Sequence, residues 1–431
     1  MKVLVVGSGG REHALAWKLS SSPNVSKLYC APGNPGTAEC STNVNISDTN
    51  IHDLVTFAKE EKIDLVVIGP ENPLFGGLAD RLGEGGIRVF GPTQQAAMLE
   101  SDKAYCKELM RQYSVPTAES RIFTNYADAK AYIASRDEPL VIKASGPAMG
   151  KGVIVCEDPA DALRAAEKIM VDRIFGESGD KLVVEEKLTG QEVSVLALVD
   201  GRNIYVLETA QDHKAIGEGD TGPNTGGMGA YSPVPFVTDS IIQQIERQVL
   251  VPIVDAINRS GTRYNGVLYA GLMLTTTGPK VLEFNTRFGD PETQPIMMRL
   301  KSDLFEALMA TAEGKLDEVT LEWDSRPSVC VVMASGGYPG KYDPGMAISG
   351  IEEAQAVEDV MVFHAGTTRN NAGRLVTFGG RVLGVTTLGE TLLDAKSRAY
   401  TAVEKITFDG AYYRKDISDK AMVGKGSHTG K

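Results

Sequence analysis

Four times in the first hundred residues a short apolar run ends in a turn rich in glycine or proline. Val3–Val6 leads into Gly7-Ser8-Gly9-Gly10, and Leu28–Ala31 into Pro32-Gly33-Asn34-Pro35-Gly36. Asp64–Ile68 leads into Gly69-Pro70-Glu71-Asn72-Pro73, and Val89–Phe90 into Gly91-Pro92. Helical stretches such as Arg11–Leu19 follow the turns. Strand, tight turn and helix in repetition build a parallel sheet, because a parallel strand returns only through a long crossover. The pattern predicts a doubly wound α/β domain over residues 1–102. Ligands of such sheets sit at the carboxyl ends of the strands, where all four turns fall.

A chain of 431 residues exceeds one ordinary core and predicts about three domains. After a helical stretch over Met98–Tyr113, the segment 103–320 reads as two lobes. The smaller, about 118–190, holds the apolar strands Leu140–Lys143 and Gly152–Cys156 around a glycine-rich loop; the larger holds Gly266–Leu274 and Lys280–Phe284. Shorter strands, Ser328–Ala334 and Gly380–Thr386, predict a small α+β unit over 326–423, and the polar 424–431 a flexible tail. No internal repeat is evident.

Composition narrows the class. The five cysteines are scattered with no C-x-x-C pair, which predicts reduced thiols in a cytoplasmic setting and no structural zinc. No apolar run approaches the ~20 residues that span a bilayer, and the start lacks an export signal. A net charge of -12 argues against nucleic acid as a partner. Anionic small molecules remain possible, since screening over about 8 Å lets local cations outweigh distant carboxylates.

Several constellations concentrate charge and glycine. Gly7-Ser8-Gly9-Gly10 fails the dinucleotide fingerprint because Glu12 stands at its last glycine. A single phosphate on backbone N–H groups, with Arg11 beside it, and a ligand-free βα turn both fit the remainder. Lys143-Ala-Ser-Gly146-Pro-Ala-Met-Gly150-Lys151-Gly152 lets backbone approach phosphate oxygens between two lysines, but lacks the Walker hydroxyl after Lys151. Lys103 precedes a helix that this loop could face. Glu185-Glu186-Lys187-Leu188 ends a strand, with Glu192 close by; an adenine edge and an exposed strand end fit equally. Glu283 and Asn285, two apart on a strand, project to one side, and paired hard oxygens suit Mg²⁺. Arg287-Phe-Gly-Asp290-Pro-Glu292-Thr-Gln294 follows at once, a cation beside that pair that calls for an anion between them. His213, before the glycine-rich 219–231, fits a general base or a hydrogen-bonded structural histidine.

Taken together these motifs are more specific than any alone. Gly-Ser-Gly-Gly-Arg-Glu-His at 7–13, Ala-Pro-Gly-Asn at 31–34, Gly-Pro-Glu at 69–71, Gly-Pro-Thr at 91–93, Gln-Asp-His-Lys at 211–214, Gly-Pro-Asn-Thr-Gly-Gly-Met-Gly-Ala-Tyr at 222–231 and Arg-Phe-Gly-Asp-Pro-Glu-Thr-Gln at 287–294 resemble the glycinamide ribonucleotide synthetase family. The likeness extends through Phe-His-Ala-Gly-Thr at 363–367 and Arg-Lys-Asp at 414–416, in one order along the chain.

The resemblance implies an ATP-grasp fold and an ATP-dependent ligase of purine synthesis that joins glycine to 5-phosphoribosylamine through glycyl phosphate. By the same likeness, Lys103, Lys143 and the loop through Gly150 and Lys151 meet ATP phosphates. Glu185, Glu186, Lys187 and Leu188 hold adenine, and Glu192 the ribose. Glu283 and Asn285 bind Mg²⁺ or Mn²⁺. Asp212, Lys214 and Arg287 meet glycine, and Lys143, Asp212 and Arg287 act in the chemistry. Ser8, Gly9, Gly10, Pro32, Gly33, Asn34, Gly69, Pro70 and Glu71 face phosphoribosylamine. A monomer or weak homodimer is implied. Ser145, Pro147, Met149 and Thr286 depart from the family's usual residues, which bears on loop mobility and nucleotide affinity. The rival readings are a related ligase for another carboxylate, such as bicarbonate or formate, and a nucleotide-binding regulator without turnover.

Overall fold

The computed structural model describes residues 1–148 and 151–423, so Met149, Gly150 and the tail 424–431 lie outside the described residues. The N-terminal sheet is parallel, in the order β3-β2-β1-β4-β5, with β1 Lys2–Gly7, β2 Lys27–Pro32, β3 Thr42–Asn43, β4 Leu65–Ile68 and β5 Arg88–Phe90. Both faces of β1 are covered: Val3 and Val5 join one apolar core, Leu4 and Val6 another. That is why the strand reads as a continuous apolar run rather than an alternating one. Because β1 is flanked by both β2 and β4, the order reverses there, and the turns after these three strands converge.

The smaller lobe is an antiparallel sheet, β6-β9-β7-β8, of β6 Ser120–Phe123, β7 Leu140–Ala144, β8 Val153–Cys156 and β9 Leu182–Glu186. Facing it is β11-β10-β16-β17, of β10 Gln191–Val199, β11 Ile204–Val206, β16 Gly266–Thr275 and β17 Gly278–Asn285. The two sheets flank the main cleft. The stretch expected as one helix over Met98–Tyr113 splits at Asp102. That residue is extended, and its carboxylate accepts the Tyr105 N–H at 3.0 Å, restarting a helix at Lys103–Gln112. The cap thus places Lys103 in the first turn of a new helix.

Between β11 and β16 run β12 Gln211–Asp212, β13 Ala215–Gly217, β14 Thr221–Asn224 and β15 Gly229–Ser232. The C-terminal segment adds β18 Ser328–Ala334, β19 Val360–His364, the hairpin β20 Thr367–Arg369 with β21 Leu375–Thr377, and β22 Arg381–Leu388. Its main sheet runs β12-β15-β18-β22-β19, so two strands from the 211–232 stretch join those that follow residue 326. Every residue of β18 is buried, and a strand so enclosed needs partners on both edges. β22 supplies one and β15, about a hundred residues earlier, the other. No helix among the described residues is long and apolar enough to cross a membrane.

Candidate active site

A cleft of about 420 Å³ opens between the two central sheets. It is lined by Glu71, Lys103, Lys143, Glu185, Glu186, Lys187, Leu188, Glu192, Asp212, Lys214, Glu283, Asn285 and Arg287, residues that span more than two hundred positions in sequence. Asp212 enters from the edge of the C-terminal sheet, and Glu283 and Asn285 from the end of β17.

One wall is cationic. Lys143 Nζ lies 2.9 Å from Glu185 and donates to the Leu282 carbonyl at 3.1 Å. The same Glu185 carboxylate lies 3.1 Å from Lys107, whose Nζ also donates to Thr117 Oγ1 at 2.6 Å. Two buried lysines thus share one buried carboxylate, which fixes the Lys143 ammonium. Burial pulls Lys107 down, against the opposing effect of Glu185. Sequence reasoning missed Lys107; its signal was a lysine four residues after Lys103, on the same helix face. Glu185 therefore turns its side chain to these lysines. Glu186 pairs with Lys280 at 3.0 Å, Lys187 with Glu157, and Glu192 with Lys214 at 3.4 Å.

Lys103 Nζ reaches the Gly146 carbonyl at 3.4 Å, bringing the helix start to the glycine loop. Burial lowers its pKa, offset in part by Glu283. The departures near this loop are built in. Ser145 Oγ donates to Asp102 and accepts the Ala104 N–H, tying loop to helix, and Pro147 lines the cleft. Lys151 does not line the cleft but donates to the Pro339 carbonyl at 3.2 Å; Gly150 lies outside the described residues.

Glu283 and Asn285 lie beside this wall, since Leu282, which Lys143 bonds, adjoins Glu283. The Glu283 carboxylate makes no hydrogen bond or ion pair among the described residues. Burial would raise its pKa, but Lys214, Lys143, Lys103 and Arg287 outweigh that and hold it ionised. Asn285 Oδ1 accepts from Arg287 at 3.2 Å. No group of three or more His, Cys, Asp or Glu among the described residues is placed to hold a metal. The carboxylate of Glu283 and the amide oxygen of Asn285, two apart at the end of β17, are hard oxygens of the kind that suits an ion completing its shell with water and phosphate.

Arg287 is held between two carboxylates, 2.9 Å from Glu100 and 3.3 Å from Glu71. Burial opposes its charge, but Glu100 and Glu71 keep it protonated. Glu100 also accepts the Thr286 N–H at 2.7 Å and its hydroxyl at 3.1 Å, so Thr286 supports the arginine's partner. Glu100 lies far from Arg287 in sequence and carried no local signal.

Asp212 is buried, and its Oδ1 has no hydrogen-bond partner. Desolvation, with Glu292 nearby, pushes it up to about 8. Lys214, 3.8 Å from it, would be lowered by burial, but Tyr269, Glu192, Asp212 and Glu283 raise it. Glu292, part of the 287–294 stretch but given no role there, accepts from Tyr269 at 2.6 Å and Ser194 at 3.0 Å in a buried network. His213 resolves as structural: it is buried, its Nε2 accepts the Ser418 N–H at 3.2 Å, and burial lowers it to about 3.

Of the N-terminal turn residues, Glu71 alone lines the cleft among the described residues. Ser8, Gly9, Gly10, Pro32, Gly33, Asn34, Gly69 and Pro70 gather at the ends of β1, β2 and β4 beside it. Glu12 folds back over this turn and accepts the Gly9 N–H at 2.7 Å. A Cβ on Gly69 would sit 2.1 Å from its carboxylate, so the space admits no side chain. Arg11, set beside a phosphate in one of the two readings of this turn, pairs with Glu12 at 2.5 Å and donates to the Phe288 carbonyl at 3.0 Å. Burial beside a carboxylate turns it inward. Asn34 Nδ2 is engaged with the carbonyls of Ser8 and His364, both at 2.8 Å.

A doubly wound domain, two antiparallel lobes around a polar cleft and a C-terminal unit define an ATP-grasp architecture. Family models agree along the chain. Phosphoribosylglycinamide synthetase N domain matches residues 1–100, the ATP-grasp (A) domain 101–293 and the C domain 328–420. The chain belongs to the phosphoribosylglycinamide synthetase family. It is 53% identical over 428 residues to phosphoribosylamine–glycine ligase of Rhodopirellula baltica, covering 98% of each chain. It is 49% identical over 425 residues to that of Escherichia coli K12, covering 98% of this chain and 99% of the other. The solved phosphoribosylamine–glycine ligase of Thermotoga maritima superposes with TM-score 0.86 at 33% identity, covering 97% of this chain and 100% of that one. The biotin carboxylase domain of Hydrogenobacter thermophilus 2-oxoglutarate carboxylase shares the fold alone, with TM-score 0.72 at 17% identity, over 96% of this chain and 91% of that one.

Proposed function

We infer that the chain joins glycine to 5-phosphoribosylamine with conversion of ATP to ADP and phosphate, giving glycinamide ribonucleotide for purine synthesis. The observation that carries this is full-length similarity to ligases of that name together with a cleft that sets four cations, Lys103, Lys143, Lys214 and Arg287, around an ionised Glu283. Amide formation from a carboxylate is unfavourable in water, so the γ-phosphoryl group is first moved to glycine. The ribosylamine nitrogen then attacks the carbonyl carbon and phosphate departs with the bonding electrons. No protein nucleophile is needed; positioning and charge do the work.

Lys103 and Lys143 face the nucleotide phosphates, with Lys143 fixed by Glu185. Residues 185–188 hold adenine and Glu192 the ribose. Glu283 and Asn285 would hold a divalent ion, Mg²⁺ or Mn²⁺, which would supply charge neutralisation at the phosphates. Arg287 and Lys214 orient glycine through its carboxylate, and Asp212 through its ammonium. Residues 1–102 bind the ribosylamine, with Glu71 joining its site to the cleft, 103–320 form the ATP-grasp unit and 326–423 the C-terminal one. The chain works in the cytoplasm on small molecules, as a monomer or weak homodimer. The test is a mixture of ATP, glycine and phosphoribosylamine: ADP and glycinamide ribonucleotide appear one for one, and bicarbonate or formate does not replace glycine. ADP release in step with formate or bicarbonate instead of glycine would favour the related ligase reading.

Asp212 gives this reading a pH signature. Below about 8 the unliganded carboxyl carries a proton, and above it the ionised form is ready for an ammonium. The kcat/KM for glycine therefore rises with pH towards about 8. In Asp212→Asn it falls roughly 10- to 100-fold, as expected for a lost charged hydrogen bond, and the rising limb disappears. An unchanged pH profile in that variant removes Asp212 from glycine binding.

A further inference from the structure

We propose that Arg381, at the start of β22 in the C-terminal unit, is a positioning residue for the ligation: it holds the two glycine-rich loops that flank Asp212 and follow Arg287 in register with each other. The proposal rests on the function above. Arg381 is absent from the lining of the cleft, whereas Gly226 and Asp290 belong to it. From behind, its Nη1 donates to the Gly226 carbonyl and to the Asp290 carbonyl at 2.7 Å. It also reaches the Gly227 carbonyl at 3.5 Å and lies 3.4 Å from the Asp290 carboxylate. One guanidinium thus joins 226–227 to 290, segments with no secondary structure of their own to fix their spacing.

What these loops touch makes the spacing matter. Gly227 sits at φ +112°, and a Cβ there would lie 2.7 Å from Asp212 Oδ1 and 2.4 Å from Pro291 Cδ. Its backbone therefore packs directly on the carboxylate assigned to glycine. On the other side, Asp290 accepts from Gln294 at 3.1 Å and from the Arg11 N–H at 3.4 Å, which carries the link to the N-terminal turn. The C-terminal unit grips the same loop a second time, since Tyr338 OH accepts the Gly226 N–H at 3.0 Å. Both polar groups of Gly226 are thereby held from a domain that contributes no residue to the lining of the cleft. Loss of Arg381 lets the loop beside Asp212 shift relative to Arg287 while leaving Lys103, Lys143 and Glu185 in place.

The experiment uses the full-length protein, after the wild type has been shown to make glycinamide ribonucleotide; failure at that stage sinks the function and not this proposal. Arg381→Ala is expected to lower kcat/KM for glycine roughly 10- to 100-fold, the scale of a charged hydrogen-bonding group removed. Its KM for ATP stays within about twofold, the scatter of a group outside the nucleotide site. Added guanidinium ion at millimolar concentration recovers part of the lost rate, and Arg381→Lys falls between alanine and wild type. Tyr338→Phe, which removes the second grip, shows a smaller loss in the same parameter. If Arg381→Ala does not fold, Arg381→Lys and Tyr338→Phe decide. Glycine kinetics unchanged in the variants, or KM values for ATP and glycine rising by the same factor, overturn the proposal.

Discussion

Glu283→Ala abolishes divalent-dependent turnover, lowering kcat roughly 10³-fold or more, since several kcal/mol of charge stabilisation at the phosphate is lost. This carboxylate has no hydrogen bond or ion pair among the described residues, and Lys214, Lys143, Lys103 and Arg287 lower its pKa. Of the four, Lys214, Lys143 and Arg287 are also paired with other carboxylates, so the positive field at Glu283 is shared with Glu192, Glu185, Glu100 and Glu71. Removing the carboxylate strengthens that positive field, so nucleotide binding survives better than turnover. Titration with Mn²⁺ followed by electron paramagnetic resonance reads the same change without turnover, as a weakened Mn²⁺–nucleotide signal. A variant that turns over normally at ordinary Mg²⁺ contradicts the assignment of Glu283.

The second large effect is at Arg287. Arg287→Ala is expected to cost about 2–5 kcal/mol in kcat/KM for glycine, as when one partner of a buried charge pair is truncated. The KM for ATP is left nearly unchanged. This residue is partly buried between Glu100 and Glu71, so its loss also strands Glu100, whose pKa desolvation already raises against the pull of Arg287. Stability falls with it. The sign follows from Glu100: a carboxyl whose folded pKa lies above its unfolded one is least unfavourable when protonated. The stability deficit of the variant therefore shrinks as pH is lowered and grows as pH rises through the Glu100 pKa. Thermal melts of both proteins at pH 5 and pH 8 separate this from the glycine effect; equal deficits at the two pH values count against a stranded Glu100.

Much of this was legible in the sequence where the signal is local. The four glycine and proline turns fall at the ends of parallel strands because doubly covered strands are short and apolar. Glu283 and Asn285 share a face because residues two apart on a strand do. What escaped was set by contacts across long stretches of chain. Glu100 meets Arg287 only through the fold, and Lys107 shares Glu185 with Lys143 from another element. The turn at Gly7–Gly10 left Arg11 open between an anion and no ligand; the carboxylate of its own neighbour Glu12, folded over Gly7 and Gly69, takes it. The pairing of β15 with β18 likewise depends on strands about a hundred residues apart, which no period within either strand encodes.

The central claim is that the cleft moves phosphate onto glycine before the amine nitrogen attacks. Glycine labelled with 18O in its carboxylate tests it directly. If the acyl phosphate forms, each turnover breaks the bond between the glycyl carbon and an oxygen that began in glycine, so the released phosphate carries one label and the new amide keeps the other. Unlabelled phosphate formed alongside ADP and glycinamide ribonucleotide would show that the phosphoryl group never reached glycine.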